Sequence, residues 1–430
     1  MKDSLRFELK NVKNINEASI EINKINVIAG VNSSGKSTVS KIFYSFLKAN
    51  SQDRKCFLRK ELVDSLNSFI TILNDKKIDD CHIPDKLTIK DGSQGIIEKY
   101  FEIIEMLKEN NLYNDFKSTG PTMTKDTINY TEYLFDLFNQ EDNCLLSEKI
   151  MYLILLNENF NEFLENESNS DFILTNKISD TEINFYNGFS NAFDYFFENE
   201  FINQVFYIDT VSILDFKENR QMPLHRLDLL DGLYLKYFKD LESLPDEVRD
   251  IYEKIEKIIN GEYFPDMAFE TKMLSDEKLS KTIKNNNDEK TLIWGDDNIS
   301  SGFKQIGILQ VLLRFKLKNN SYLIFDEPEV NLHPKWQFKF AEILVLLAKD
   351  LDITIYINSH SPTFIESIDA FAGFYDMDDD VNYYLTEEYG EKYNFVNIGS
   401  NELYKLYSNL GDVYNEINKL KIRKRLRNRG

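Results

Sequence analysis

The sequence predicts an α/β fold, a mixed sheet with flanking helices, interrupted by a large, mostly helical insertion. Three observations predict it. Gly30-Val-Asn-Ser-Ser-Gly-Lys-Ser37 spells G-x-x-x-x-G-K-S, directly after one apolar run and directly before a helical one. Two later apolar runs, Tyr322–Phe325 and Ile353–Ile357, end abruptly in polar residues, as buried parallel strands do at one edge of a sheet. Residues 46–289, in contrast, place many apolar positions at helical spacing, as in Ile96, Ile97, Tyr100, Phe101, Ile104 and Leu107.

Taken in order, Leu5–Leu9 and Ala18–Ile22 alternate apolar and polar residues, as half-buried antiparallel strands do. With Ile25–Ala29 they read as a short β-meander whose third strand is a continuous core strand. Gly30 to Thr38 follows, and Val39, Ile42, Phe43, Phe46 and Leu47 give the next segment a helical apolar face. A strand, a tight loop and a helix N-terminus are what a phosphate needs, because backbone N–H groups and the positive end of a helix dipole then point inward. Gly30 and Gly35 let the backbone bend and approach phosphate without a Cβ, and Asn32, Ser33 and Ser34 complete the loop. Lys36 is expected to reach the β- and γ-phosphates and the Ser37 hydroxyl to ligate Mg²⁺.

Residues 45–205 read as mostly helical, with an acidic outer face, since 151–200 holds ten acids against the single base Lys177. No heptad pattern is sustained, so a long coiled-coil arm is not expected. Val205–Val211 returns to strand character, 225–260 is helical again, and Asp276–Lys290 reads as a polar surface loop or hairpin tip. Thr291–Trp294 reads as a further strand.

Tyr322–Phe325 leads into Asp326-Glu327-Pro328. A carboxylate at the end of a parallel strand beside the loop is placed to support Mg²⁺, and the adjacent Glu327 projects differently and suits a general base. Ile353–Asn358 leads into Ser359-His360-Ser361, where a histidine can donate a hydrogen bond to the γ-phosphate. Ser300-Ser301-Gly302 opens another apolar helix and offers a second anion-suited N-terminus, most simply for the nucleotide of a second subunit.

Composition narrows the partners. Hydrophobic residues are 42% and charged residues 29% of 430, an ordinary balance for a globular protein. No 18-residue apolar run exists and the N-terminus lacks a signal-like apolar segment, so a cytoplasmic protein without a membrane span is expected. Cys56, Cys81 and Cys144 are scattered and form no metal or disulfide pattern. The net charge of −21 opposes DNA binding over a broad surface. Seven of the positive charges lie in Lys419–Gly430, so the remainder carries −28. That basic stretch suits the C-terminal end of a solvated helix and leaves open a contact with nucleic acid or an acidic partner.

The four motifs, in this order, resemble an ABC-type P-loop ATPase head of the SMC/RecF/OLD-like branch. The Walker A motif is Gly30–Thr38, the signature Ile299–Lys304, Walker B Leu323–Glu327 and the H-loop Ser359–Ser361. The strings DEPEVNLHP and NSHSP are similar to those of stand-alone AAA-family ATPases of bacterial anti-phage defence, of the OLD and Septu types. The resemblance implies that Lys36, Ser37 and Thr38 bind phosphates and Mg²⁺, Asp326 supports Mg²⁺, Glu327 is catalytic and His360 senses the γ-phosphate. Ser300 and Gly302 would contact the γ-phosphate across a dimer, with Asn331, Leu332 and His333 as the D-loop between subunits. The head would comprise 1–45 and 290–400, the insertion 46–289 with a core strand near 205–211, and a helical basic tail 401–430. Two features depart from the pattern: Ser301 and Phe303 in the signature, and the lack of a clear Q-loop glutamine, for which Gln204 and Asp209 stand nearest. Only 70 residues follow His360, so no Toprim nuclease domain of the OLD kind is expected, and Asp376 and Asp378–Asp380 read as a loop between strands at 371–375 and 381–386.

The expectation is therefore an ATP-hydrolysing switch, a homodimer or higher homo-oligomer using ATP and Mg²⁺, that controls an effector such as a nuclease supplied in trans. Two alternatives remain open: a DNA-repair or DNA-end-binding ATPase, and an ATPase with its own nuclease site.

Overall fold

A computed structural model describes residues 5–51, parts of 58–70, 93–109, 131–139, 150–151, 171–176, 181–184, 202–209, parts of 223–229, 244–261, 267–273, 279–285, 288–293, 301–315, 317, 319–330, 332–406 and 419. The chain divides into two compact units: Met1–Leu47 with Ile154–Ala192 and Phe201–Gly430, and Lys48–Leu153 with Phe193–Glu200.

The first unit holds a ten-stranded sheet. Its strands are β1 (Leu5–Val12), β2 (Ile15–Ile22), β3 (Ile25–Ala29), β4 (Asp171–Asn176), β5 (Thr181–Asn184), β6 (Val205–Ile208), β10 (Tyr322–Asp326), β11 (Thr354–Ser359), β12 (Val381–Tyr389) and β13 (Lys392–Ile398). The order across the sheet is β5-β4-β1-β2-β13-β12-β3-β11-β10-β6. From β12 to β6 every pairing is parallel. A separate antiparallel sheet comprises β7 (Met267–Met273), β8 (Leu279–Asn285) and β9 (Asp288–Ile293).

The parallel strands read as continuous apolar runs because both of their faces are covered. Successive side chains alternate between those faces. On one face Ile25, Val27, Leu323, Phe325, Ile355 and Ile357 join the main core with residues of α3 (Asp246–Gly261), α4 (Ser301–Phe315), α5 (Pro334–Asp350) and α6 (Pro362–Phe374). On the other, Phe43 of α1 (Lys36–Asn50) stacks on Phe7 at 5.3 Å and packs against Tyr356 at 5.4 Å and Tyr322 at 6.2 Å. The period of two therefore carries Tyr322 to Asp326, and Tyr356 to Asn358, onto the face covered by α1.

α5 and α6 start where the sequence stops extended structure. His333 and Ser361 are N-caps with extended backbones, and Pro334 and Pro362 follow as first helical residues, where a missing N–H costs nothing.

In the second unit, α2 (Ser93–Glu109) buries Ile96 and Ile103 and stacks Tyr100 on Phe135 at 3.6 Å. The Ser65 and Thr131 hydroxyls share a buried hydrogen bond of 2.7 Å.

Two expectations are corrected, the three-stranded meander and the strand at 371–375. β1 and β2 do form an antiparallel hairpin, closed by a turn in which Lys13 takes a φ of +48°, but β3 does not continue it as a meander. β12 and β13 intervene, and β3 pairs in parallel with β12 and β11. Residues 371–375 are not a strand: α6 runs to Phe374, and Asp378–Asp380 form a 3₁₀ turn before β12. The region read as mostly helical also supplies β4 and β5, which extend the large sheet beyond β1. The strand expected over 205–211 is observed as Val205–Ile208, and the polar stretch before Thr291 is the β8–β9 hairpin.

Candidate functional site

The C-terminal ends of β3, β11 and β10 lie side by side, in a register that pairs Ala29 with Ser359 and Asn358 with Asp326. The loops that leave these ends carry the residues singled out from the sequence. Open α/β sheets bind ligands at this edge.

The loop Gly30–Gly35 joins β3 to α1, whose first turn is closed by the Val39 N–H donating to the Gly35 carbonyl at 3.0 Å. A Cβ on Gly30 would lie 1.8 Å from Oγ1 of Thr386 on β12, so only glycine fits. Gly35 takes a φ of +94°, and a Cβ there would meet Ile15 Cγ1 at 2.8 Å. Ser33 also takes a positive φ, of 64°, and its carbonyl accepts from Asn14 Nδ2 at 3.1 Å, so the β1–β2 turn braces the loop. Asn32 lies exposed on the loop and Ser34 is buried beneath it. Ser37 and Thr38 occupy the first turn of α1.

Lys36 Nζ donates to the carbonyls of Gly30 at 2.9 Å and Val31 at 2.8 Å, so its ammonium sits within the curl of the loop. Burial pulls its pKa below the ordinary lysine value, and the nearby charges of Glu327, Asp326 and Glu329 oppose that pull.

Asp326 ends β10 on the α1 side. Its Oδ1 accepts from Asn358 Nδ2 at 2.9 Å and its Oδ2 from the Tyr207 hydroxyl at 3.0 Å. The same Asn358 Nδ2 donates to Ser40 Oγ of α1 at 2.7 Å, tying the carboxylate to the helix that carries Lys36 and Ser37. Glu327 leaves the strand with a φ of +53° while its N–H donates to the Asn358 carbonyl at 2.9 Å. That left-handed step turns its side chain to His360, whose Nδ1 lies 3.3 Å from Glu327 Oε1.

Sequence reasoning missed Glu329. It is 3% exposed, and its Oε1 accepts from Ser359 Oγ at 2.6 Å and from the His360 N–H at 3.0 Å. Burial pushes its pKa above the ordinary carboxylate value, against the hydrogen bonds it accepts. A second glutamate directly after Asp-Glu-Pro was the available signal, but an acidic residue in a surface loop reads the same way in sequence. Tyr207 and Asn358 were missed because each looks like an ordinary strand residue.

The remaining expected positions are dispersed or lie outside the described residues. Ser300 and Asn331 are outside them; Gly302 lies in the first turn of α4. Leu332 is buried and its N–H donates to the Glu329 carbonyl at 3.0 Å, while His333 caps α5 by accepting from the Lys335 N–H at 3.3 Å. The Gln204 carbonyl accepts from the Tyr322 N–H at 2.8 Å. Asp209 is bound by Arg226, with contacts of 2.7 and 3.0 Å, and His225 Nε2 lies 3.1 Å away. Burial raises the Asp209 pKa, but these donors outweigh it and hold the carboxyl well below its ordinary range. Among the described residues, no group of three or more His, Cys, Asp or Glu could hold a metal ion, the aspartates around 376–380 included. Among the same residues, no helix is long and apolar enough to cross a membrane.

No curated protein matches the chain. Solved structures that align include an SMC head bound to the C-terminal winged-helix domain of ScpA, at 12% identity and a TM-score of 0.40, covering 92% of this chain and 98% of that one. The SMC head domain from Thermotoga maritima aligns at 10% identity and a TM-score of 0.36, covering 93% and 99%. A nucleotide-free ATP-binding cassette from an ABC transporter aligns at 11% and 0.33, covering 94% and 95%. The model of one protein family, described as "AAA domain, putative AbiEii toxin, Type IV TA system", matches residues 25–366. That span takes in β3, the glycine loop and the ends of β10 and β11, and the chain belongs to this AAA-domain family.

Proposed function

We propose that this chain binds and hydrolyses ATP and works as a switch. Two copies close head to head around ATP and Mg²⁺, and that assembly controls a partner effector, a nuclease in bacterial anti-phage defence. One observation carries the ATPase reading. Lys36, Asp326, Glu327 and His360 come from three separate stretches and meet at one edge of three adjacent parallel strands. The defence reading draws on the resemblance of DEPEVNLHP and NSHSP and on a family description that names a toxin–antitoxin system.

The residues present fit the nucleotide and its metal. The loop comes close enough to its neighbours to exclude a Cβ at Gly30 and Gly35, as a backbone cradle for phosphate must. Ser37 and Asp326 offer the hard oxygen donors that Mg²⁺ prefers, and the metal would neutralise charge on the phosphates. Lys36 supplies an ammonium inside the loop. Asn358 and Tyr207 fix both oxygens of Asp326, so its orientation needs no rearrangement. Glu327 serves as general base for the attacking water, beside His360 at the γ-phosphate position. Ser300 and Gly302 of a second copy complete the site.

The test is ATP binding and turnover in two variants. Lys36→Ala is expected to lose nucleotide binding. Glu327→Gln is expected to bind ATP with little change and to hydrolyse it at least ~100-fold more slowly. Normal turnover by Glu327→Gln would remove the general-base assignment, and undiminished ATP binding by Lys36→Ala would remove the loop assignment.

A further inference from the structure

The segment after β10 is fastened to the segment after β11 at two points. Glu329 Oε1 accepts from Ser359 Oγ at 2.6 Å and from the His360 N–H at 3.0 Å. Gln337, on the first turn of α5, receives the Ser361 hydroxyl on its Oε1 at 3.1 Å and donates its Nε2 to the carbonyls of Leu332 at 3.1 Å and Glu329 at 3.4 Å. A carboxylate that is 3% exposed is costly to bury, and among the described residues Glu329 Oε2 has no hydrogen-bond partner. Such a group is not an incidental surface acid. Its bonds go to the two residues that precede and carry the His360 side chain, and its Oε1 lies 3.7 Å from His360 Nδ1. The imidazole itself is 43% exposed, so packing does not hold it.

We propose that Glu329 is a positioning residue for His360, setting the backbone and imidazole of the strand end from the loop that follows Glu327. Its mechanical consequence is specific. Glu329 and Gln337 flank residues 331–333, the segment expected to face a second copy, so a shift of that segment on docking would be delivered to His360 through Glu329 and Gln337. The inference rests on the ATPase reading for its kinetic consequence, but its structural half stands without it.

The experiment pairs kinetics with spectroscopy. The wild type, Glu329→Ala, Glu329→Gln, His360→Ala and the Glu329→Ala/His360→Ala double variant are compared for ATP turnover and ATP binding. Glu329→Ala is expected to lower kcat about 10- to 100-fold with the KM for ATP nearly unchanged. Glu329→Gln keeps an acceptor oxygen for Ser359 and the His360 N–H and is expected to recover most of the loss. The double variant is expected to be no slower than His360→Ala alone, because a residue acting through His360 has nothing left to act on. If the two losses instead multiply, Glu329 acts elsewhere and the proposal fails.

The chain has four histidines, His82, His225, His333 and His360, so imidazole signals labelled with ¹³C can be assigned by single substitution. Glu329→Ala is expected to move the His360 signal and leave that of His333 in place; an unmoved His360 signal overturns the proposal whether or not the protein hydrolyses ATP. A wild type without turnover would overturn the ATPase reading alone. If Glu329→Ala does not fold, Ser359→Ala removes one of the two donors to the same carboxylate and is expected to move the His360 signal in its place.

Discussion

Asp209 shows how a single residue's surroundings decide its chemistry. In sequence it stands near the place where a Q-loop ligand would be sought, but in the structure it is an anion held by Arg226 and His225. Burial acts to raise its pKa and the hydrogen bonds from His225 and Arg226 lower it further than that, so the folded value lies well below the unfolded value of 3.8. A depressed carboxyl pKa adds stability above the unfolded value, and that stability drains away as pH falls through the folded value. Asp209→Asn is therefore expected to destabilise the protein by about 2 kcal/mol at pH 7. The gap to wild type should close progressively below pH ~4. Urea midpoints across that range measure it; a gap independent of pH would mean that the charge is not what stabilises.

At the scale of elements, the glycine loop depends on strands far from it in sequence. β12 presents Thr386 under Gly30, β2 presents its first residue, Ile15, under Gly35, and the β1–β2 turn presents Asn14 to the Ser33 carbonyl. Gly30→Ala places a methyl where Thr386 Oγ1 already lies, so the loop must shift away from β12. It is expected to weaken ATP binding by about tenfold or more, since backbone donors displaced by even a fraction of an ångström lose much of their bond. Thr386→Ala in the same chain removes the closest atom and should recover part of the affinity, which isothermal titration would show. Failure of Thr386→Ala to help would place the strain in the backbone dihedral of residue 30 instead. The same reasoning explains α6: Phe371-Ala-Gly-Phe-Tyr375 is short, apolar and aromatic enough to read as a strand, and only its continuity with the Ser361-Pro362 cap makes it the last turn of a helix.

For the whole molecule, the prediction concerns association. Glu327→Gln should bind ATP without consuming it, so any ATP-dependent pairing of heads should accumulate. Its mass in solution is expected to double on addition of ATP and Mg²⁺, and a further Ser300→Arg change, placing a bulky cation where the second head should dock, should abolish the shift. A mass indifferent to ATP would remove the head-to-head step from the switch and leave nucleotide binding itself untouched.

The sequence by itself determined the local chemistry. The glycine loop, the apolar runs before it and before Asp326 and Ser359, and the proline-marked helix starts at 334 and 362 are all short-range patterns, set by backbone conformation and side-chain period. What it did not determine is which strands are neighbours. β12 and β13 come more than 350 residues after β2 and β3 yet lie between them, because strand pairing depends on long-range burial that no local window contains. The roles of Tyr207, Asn358, Glu329 and Thr386 follow from that pairing alone. Each is an unremarked strand or loop residue until the sheet order brings β6 beside β10, β11 beside β10 and β12 beside β3. Asp326, Glu327 and His360 could be named from their motifs; which groups hold them in place was decided by the tertiary structure.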